Sequence, residues 1–204
     1  IVVKGARDHV YFPDTDELLP LLQSMPVIVL TPRFADRVLP AAEFARWERT
    51  AAMTGRTVAA LQVWDVMRTI GWARAEAGLC PMEISVYGRG QAGIVALYAA
   101  LFEERIDHVI LRAPPVSHWD RPALLTVLQI TDIPEVAGVV APRRLTVLRE
   151  IPPAFALTRQ IYRVSNADAA LRCAASLPAA LQAADEIERR GCRAHERSVY
   201  ANRS

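Results

Sequence analysis

The sequence predicts an α/β protein in three layers: a mainly parallel sheet with helices on both faces. Short apolar segments rich in β-branched residues alternate along the chain with longer helical segments. This alternation is typical of strands that are buried on both faces and connected by helices. Of the 204 residues, 52% are hydrophobic and 23% are charged, so the chain can bury the core of one sizeable domain.

Five strands are predicted from the apolar segments. They cover residues 1–5, 26–33, 83–88, 107–113 and 143–151. Each segment contains β-branched residues and is followed by a turn or loop signal. A last strand is predicted in "ALRCAASL" or in "CRAHERSVY", and the sequence leaves both open.

Helices are predicted between these strands. They cover residues 14–25, opened by Asp14 or Thr15, then 39–55, 56–78, 91–104 and 132–140. In the third helix an apolar stripe is predicted, with Gly78 as the stop. Its members are Val58, Leu61, Trp64, Met67 or Arg68, and Ile70.

Charge and hydropathy argue against several classes of function. The net charge of +2 is too small to predict binding to nucleic acid or to an anionic membrane surface. No segment approaches the ~18 consecutive apolar residues of a membrane span. Metal-binding motifs are absent from the sequence, so neither a metal nor another cofactor is predicted.

The cysteines predict no full set of disulfides, and the first residues do not resemble a signal peptide. Cys80, Cys173 and Cys192 are odd in number, which excludes a fully paired disulfide framework, and we predict buried free thiols. The chain opens with "IVVKG", already inside an apolar segment and unlike a signal peptide. We expect residues 1–204 to form a single domain. We also expect them to be a fragment of a longer chain, and the N-terminal strands of the fold to be missing from this fragment. The compartment is not predicted.

Residues 84–98, "ISVYGRGQAGIVALY", join a predicted strand to a helix through a glycine-rich turn. Gly88, Gly90 and Gly93 match the G-x-G-x-x-G pattern of a dinucleotide-binding loop. Such a loop is usually followed about 20 residues later by an acid that binds the ribose. The next strand ends instead near Arg112. A dinucleotide-binding domain therefore stays an alternative.

The same stretch fits the nucleophile elbow of a hydrolase. The apex of that turn is strained, so small residues are needed two positions before and two after it. Gly88 and Ala92 meet this requirement, and Gly93 lets the helix pack close to the strand. The residue after the apex, Gln91, would donate its backbone N–H to an oxyanion hole. Gly90 occupies the apex itself.

Four segments, in order, resemble the α/β-hydrolase superfamily, in particular its acetyl xylan esterase and prolyl-oligopeptidase-like branches. "GRGQAG" is similar to the G-H-S-Q-G-G of the esterases, and "VIVLTPR" to a strand that ends in D-P-R-G. "GRTVAALQVWDVMRTIGWA" resembles the helix before the elbow. "DIPEVAGVVAPRRLTVL" resembles the segment that leads into the acid-bearing strand. The resemblance covers roughly residues 25–150 and implies the α/β-hydrolase fold.

The resemblance also implies where a Ser-His-Asp triad would lie. The serine position falls on Gly90, which has no side chain to attack a carbonyl. The acid would follow the strand "RRLTVL", which makes Glu150 the nearest candidate. Backbone groups of Gly5 and Ala6 would be oxyanion donors together with Gln91.

The triad histidine would follow the last strand. No histidine follows "ALRCAASL"; after "CRAHERSVY" it would lie beyond Ser204, and His195 would then lie inside the strand. The resemblance therefore implies a triad without its nucleophile and without an evident base. Removing triad members leaves only slight catalysis.

Other residues could carry chemistry. Ser117 and His118 lie in the loop after the fourth strand, which borders the elbow in this fold, and Ser117 could be a relocated nucleophile. Side chains of sequence neighbours diverge, so we interpret His118 and Trp119 as lining or capping the pocket. Asp8 and His9, after the first strand, could also face the cleft.

His108 is predicted at the surface. The other tryptophans, Trp47, Trp64 and Trp72, are predicted in the core.

The sequence therefore predicts an α/β-hydrolase-like domain related to serine esterases and lacking catalytic activity. The first alternative is an active esterase-like hydrolase of carbohydrate or other esters that uses a relocated nucleophile. The second is a dinucleotide-binding domain. The expected partner is a small-molecule or carbohydrate ester, another protein, or missing segments of the same chain, and neither nucleic acid nor a membrane is expected.

Overall fold

A six-stranded sheet in which every strand pair is parallel forms the centre of the molecule. The structure, a computed structural model, describes residues 1–5, 18–35, 40–75 and 83–182. The strands are Val2–Val3 (β1), Val29–Leu30 (β2), Ser85–Arg89 (β3), His108–Arg112 (β4), Arg144–Leu148 (β5) and Leu171–Ala174 (β6). Their order across the sheet is β2-β1-β3-β4-β5-β6.

Helices connect the strands in the described part of the chain. The α-helices are Ala41–Met53 (α1), Val58–Ala75 (α2), Gln91–Phe102 (α3), Ile133–Val139 (α4) and Ala156–Val164 (α5), and the 3-10 helices are Leu21–Gln23, His118–Asp120, Val127–Gln129, Pro153–Phe155 and Asp168–Ala170. A further helical segment covers 177–182. None of the described helices combines the length and apolarity needed to cross a bilayer.

The sheet is covered on both faces, because its side chains alternate between two apolar clusters. Val86 and Val109 point into the larger cluster, where α2 to α5 pack. Tyr87 and Ile110 point to the opposite face, toward Leu21 and the helical segment 177–182. The predicted α/β fold, with a parallel sheet between two helical layers, is thus confirmed.

Helix α3 lies at the centre of the larger cluster. Nine of its residues, Ala92–Ala100, are buried, because α3 is sandwiched between the sheet and α2. A helix buried on all sides is apolar all round, and the sequence "QAGIVALYAALF" is. Its small residues allow the close approach to β3 that sets the geometry of the turn before it.

The five predicted strands are confirmed. Four of them are shorter than predicted at both ends, and β3 begins two residues later and ends one residue later than predicted. The last described strand, β6 (Leu171–Ala174), lies in the first of the two predicted segments. The other segment, 192–200, lies outside the described residues, as do Gly78 and the predicted helix start at Asp14 or Thr15.

The predicted stripe on α2 is wrong in part: Val58 and Ile70 are buried, but Leu61, Trp64 and Met67 are not. The buried residues of this helix are Val58, Ala59, Val63, Val66, Ile70 and Ala73. Trp64 is 54% exposed, and Trp47 and Trp72 are also about half exposed. Residues taken every third position turn steadily around an α-helix, because one turn takes 3.6 residues. The middle residues of the stripe therefore lie off the buried face of the helix, and the indole rings are about half exposed to solvent.

Two further predictions are corrected. His108, expected at the surface, is 1% exposed in β4, because β3 and β5 flank this strand and apolar layers cover the sheet. Cys173, expected to be buried, is an exposed free thiol near the end of β6, the last described strand of the sheet. Cys80 and Cys192 lie outside the described residues.

Candidate functional site

An abrupt turn joins β3 to α3. The strand ends at Arg89, Gly90 has φ +56° and ψ −126°, and the helix begins at Gln91. The N–H of Gly90 donates to the carbonyl of Arg112 at 2.8 Å, and the N–H of Gly93 donates to the carbonyl of Gly90 at 3.1 Å. The turn is therefore fixed to the end of β4 and to the first turn of α3.

Steric crowding explains the two outer glycines of the turn. A Cβ on Gly88 would lie 2.5 Å from the backbone carbonyl carbon of Ala92, and one on Gly93 would lie 2.8 Å from the carbonyl oxygen of Gly88. Real Cβ atoms do not come this close to backbone. Gly88 and Gly93 thus let strand and helix touch.

Gly90 is under a different constraint. A Cβ there would meet nothing within 4 Å, so the position faces open space among the described residues. Its φ is positive, however, and an L side chain would be strained there. A side chain at residue 90 would thus be well exposed and held in a strained turn.

Strained backbone gathers along the same edge of the sheet. Phe34 follows β2 with φ +66°, Ala113 follows β4 with φ +45°, and Arg149 follows β5 with φ +74°. The carboxyl ends of parallel strands meet at one edge, so these residues and Gly90 lie along it. Non-glycine residues at positive φ are uncommon and cluster at functional sites.

A small cleft of about 50 Å³ opens at this edge, beside the ends of β1 and β3. The connections from β1 and β3 run to opposite sides of the sheet, and ligands of open α/β sheets bind at such a switch point. Its lining includes Lys4, Gly5, Phe34, Phe44, Gln91 and Pro122.

Helix α1 lies beside the cleft. None of its side chains that the structure describes is buried. The Arg121 guanidinium donates to both carboxylate oxygens of Glu48 at 2.7 Å, and it also lies 5.8 Å from the ring centre of Phe44. The rings of Phe34 and Trp47 are 5.8 Å apart. Ionic and aromatic contacts therefore fasten α1 to the loops of the edge.

The structure brings together two of the predicted oxyanion residues. Gln91, the first residue of α3, and Gly5, two residues after β1, both line the cleft. Ala6 lies outside the described residues, as do Asp8, His9 and His195.

The predicted acid and base positions are also located. Glu150 is exposed and follows β5, two strands away from the turn at Gly90. The described residues after β6, 175–182, contain no histidine. No histidine therefore follows the last described strand in the part of the chain that the structure covers.

His118 is engaged in a buried network, does not line the cleft itself and contacts its lining through Pro122. Its Nδ1 lies 2.8 Å from the carbonyl of Pro122, which can only accept, so Nδ1 carries the proton. Its Nε2 lies 2.9 Å from the hydroxyl oxygen of Tyr98. Burial, followed by the nearby Asp132 carboxylate, raises the pKa of Tyr98 to about 12. Trp119, by contrast, is 84% exposed.

Ser117 belongs to the same network. Its hydroxyl bonds to the Asp132 carboxylate, and its oxygen accepts from the N–H of Trp119 at 3.2 Å. Oδ1 of Asp132 also accepts from the N–H groups of His118 and Ile133, each at 2.8 Å. Burial raises the pKa of Asp132, but these hydrogen bonds outweigh it, so the net shift is downward. The network is not evident from the sequence, although the D-x-x-E pattern of a capping box at 132–135 is.

No protein-family model matches the chain, and no curated protein sequence matches it. Among solved structures, it is similar to one described as "a putative acetyl xylan esterase" from Bacteroides fragilis, with a TM-score of 0.55 and 11% identity. The match covers 63% of this chain and 39% of that chain, so it spans about two fifths of that protein's length. The likeness establishes a shared α/β fold over the matched part.

Proposed function

We propose that this chain is an α/β-hydrolase-fold domain, related to serine esterases, that has lost the catalytic serine. The observation that carries the proposal is Gly90 at φ +56° and ψ −126°, between a central parallel strand and a buried helix. A nucleophile elbow holds its serine in such a strained strand-to-helix turn, pointing away from the sheet into the active site. Open space lies where a side chain of residue 90 would be.

The surroundings of Gly90 support the same assignment. Gly88 and Gly93 show the steric crowding that an elbow imposes on the residues around its apex. The N–H of Gln91 would be the first oxyanion donor and a backbone N–H near Gly5 the second, since both residues line the cleft. Without an attacking atom, these donors can only bind a carbonyl or an anion.

The loss extends beyond the nucleophile. Glu150 stands at the acid position, but no histidine follows β6 among the described residues that could be its partner. An oxyanion hole without nucleophile and base gives little acceleration. The proposed role is therefore binding, either of a small molecule such as a carbohydrate ester or of another protein.

Turnover of p-nitrophenyl acetate by the purified chain tests this proposal. We expect a rate equal to that of buffer containing the heat-denatured chain. A rate clearly above this background, saturable in substrate, would contradict the loss of activity.

The alternative of an active esterase with Ser117 as nucleophile is disfavoured by the contacts of its hydroxyl and of His118. If background-corrected turnover is found, Ser117→Ala distinguishes the two cases: abolished turnover supports the relocated nucleophile, and unchanged turnover removes it. For the dinucleotide alternative, titration with reduced nicotinamide and flavin dinucleotides is the test, and a null result removes it.

A further inference from the structure

Helix α2 carries large apolar side chains on the side that points away from the core. Its inner side is formed by the buried residues, among them Val63, Val66 and Ile70. Trp64 and Trp72 lie on the opposite side, where they are 54% and 51% exposed. A surface helix usually has polar residues on its outer side. Contiguous apolar surface left exposed on a folded domain often marks a site that another molecule covers.

Arg68 lies between the two indoles. Trp64, Arg68 and Trp72 follow each other at intervals of four residues, and residues four apart are neighbours on a helix surface. They form a row about 12 Å long, because each residue adds about 1.5 Å to a helix. Arg68 is exposed, and its guanidinium forms no ion pair or hydrogen bond with the described residues. These three residues are here called the outer face of α2.

The unpaired charges of α1 and α2, two helices in contact, are mainly positive. Glu48 of α1 is bound by Arg121. Asp65 of α2 is bound by Arg33. In the described part of the two helices this leaves Glu43 as the acid without an ion-pair partner. Against it stand four arginines of the two helices and their connection, all exposed and likewise without an ion pair among the described residues: Arg46, Arg49, Arg56 and Arg68.

We propose that the outer face of α2 binds an acidic segment of a second protein. Apolar side chains of that segment cover Trp64 and Trp72, and a carboxylate pairs with Arg68 through charge-assisted hydrogen bonds. Tryptophan and arginine are among the side chains that most often dominate the binding energy of protein interfaces. The negative charge of the segment also complements the other unpaired arginines of α1 and α2.

Other occupants fit the outer face less well. A two-fold contact between copies of this chain, centred on the face, would bring the Arg68 side chains of both copies together, and like charges across an interface are unfavourable. A lipid surface or a nucleic acid is recognised chiefly through clustered basic residues. The outer face instead presents one cation between two indoles, so its contact area is mainly apolar.

The inference goes beyond the proposed function, because it concerns another surface. Helix α2 contributes Val58, Ala59 and Gln62 to the lining of the cleft, and none of them belongs to the outer face. Esterase turnover would contradict the loss of activity and leave the outer face unaffected. Failure of the binding experiment below would overturn the docking inference and leave the assignment of Gly90 intact.

Selection from a displayed library of random peptides on the purified chain tests the inference. We expect the enriched peptides to combine aspartate or glutamate with aromatic or aliphatic residues and to bind saturably in fluorescence anisotropy. A bound peptide without tryptophan should shift the tryptophan emission of the chain to shorter wavelength, because the indoles lose contact with water. Arg68→Glu should weaken the affinity by about tenfold or more, since the reversed charge repels the carboxylate of the peptide.

Arg159→Glu is the matched control, because it reverses the same charge at an exposed arginine on α5. It should bind the peptides as the wild type does. Arg68→Glu should keep the melting temperature of the wild type, since the side chain that it replaces is exposed and unpaired. A lost affinity then reports a lost contact and not unfolding.

Several results would overturn the inference. They are a failure to enrich peptides, enrichment of basic or uncharged peptides, and equal affinities of Arg68→Glu and Arg159→Glu. Tighter binding to vesicles of phosphatidylserine and phosphatidylcholine, or to a single-stranded oligonucleotide, with the same dependence on Arg68, would make a lipid or a nucleic acid the occupant. Dimerisation of the wild type that Arg68→Glu changes, measured by light scattering, would assign the face to a second copy.

Discussion

At the scale of single residues, the turn at 88–93 combines two different reasons for glycine. Gly88 and Gly93 are there because backbone occupies the space of a Cβ. At Gly90 the space for a Cβ is open. A side chain there would instead be disfavoured by the positive φ of the backbone. A hydrolase accepts that conformational cost to present a nucleophile. Under the proposed function, glycine at the apex removes the strain together with the reactive group.

The two constraints predict different penalties. Gly90→Ala should be tolerated and should lower the free energy of unfolding by about 1–2 kcal/mol, the cost of a side chain at positive φ. Gly88→Ala should cost roughly 3 kcal/mol or more, because strand and helix must separate. Chemical denaturation of both variants measures the difference. Equal penalties, or an increase in stability for Gly90→Ala, would contradict the geometry of the turn.

The second residue-scale prediction concerns His108. Burial, followed by the charge of Arg172, lowers the pKa of His108 from 6.5 to about 4, and its Nε2 lies 2.8 Å from the Thr146 hydroxyl. Between these values the unfolded chain binds a proton that the folded chain does not. Stability is therefore fully present above pH 6.5 and is lost as the pH falls toward 4, by roughly 3 kcal/mol.

Unfolding free energies of the wild type and of His108→Asn between pH 7.5 and pH 4 check this prediction. The variant should show a flatter dependence on pH in this window, because its side chain does not titrate. Parallel curves for the two proteins would show that His108 does not titrate as its burial requires.

At the scale of elements, the loop after β4 is held by one carboxylate. Asp132 caps α4 in a capping box with Glu135, and it also accepts from Ser117 and His118. The loop, which contributes Pro122 to the cleft, is thus anchored to the start of a helix. The position of the cleft wall therefore depends on a helix cap.

Asp132→Ala should lower the free energy of unfolding by about 2–3 kcal/mol, more than an ordinary lost cap, because it also leaves the N–H of His118 without its acceptor. Glu135→Gln is the control, since an amide oxygen can still accept from the N–H of Asp132, which Glu135 now binds at 3.1 Å. It should cost under about 1 kcal/mol. Denaturation midpoints of both variants give the comparison, and similar losses would argue against the anchoring role of Asp132.

Helices and strands were predictable from the sequence where nearly all of their residues are buried. Strands β3, β4 and β5 and helix α3 are mostly apolar and buried between their end residues, so their type and place follow largely from composition. Helix α2 was predictable as a helix but not in its orientation. Its outer face carries Trp64 and Trp72, and hydrophobicity alone does not say which apolar residues stay at the surface.

At the scale of the whole molecule, the parallel sheet and its two helical layers were predictable, because each element gave the same answer. The candidate site was predictable at the glycine turn, whose motif is local in sequence. The network of Ser117, His118 and Tyr98 was not, because Tyr98 lies on another element and is brought to the loop by tertiary packing.

Fluorophosphonate labelling, followed by the mass of the intact protein, tests the central claim most directly. The probe forms a stable adduct with any serine that is activated as a nucleophile. We expect the wild type to keep its unmodified mass, and Gly90→Ser to do so as well, since no histidine follows β6 among the described residues to activate the new hydroxyl. A stoichiometric adduct on the wild-type chain would contradict the account.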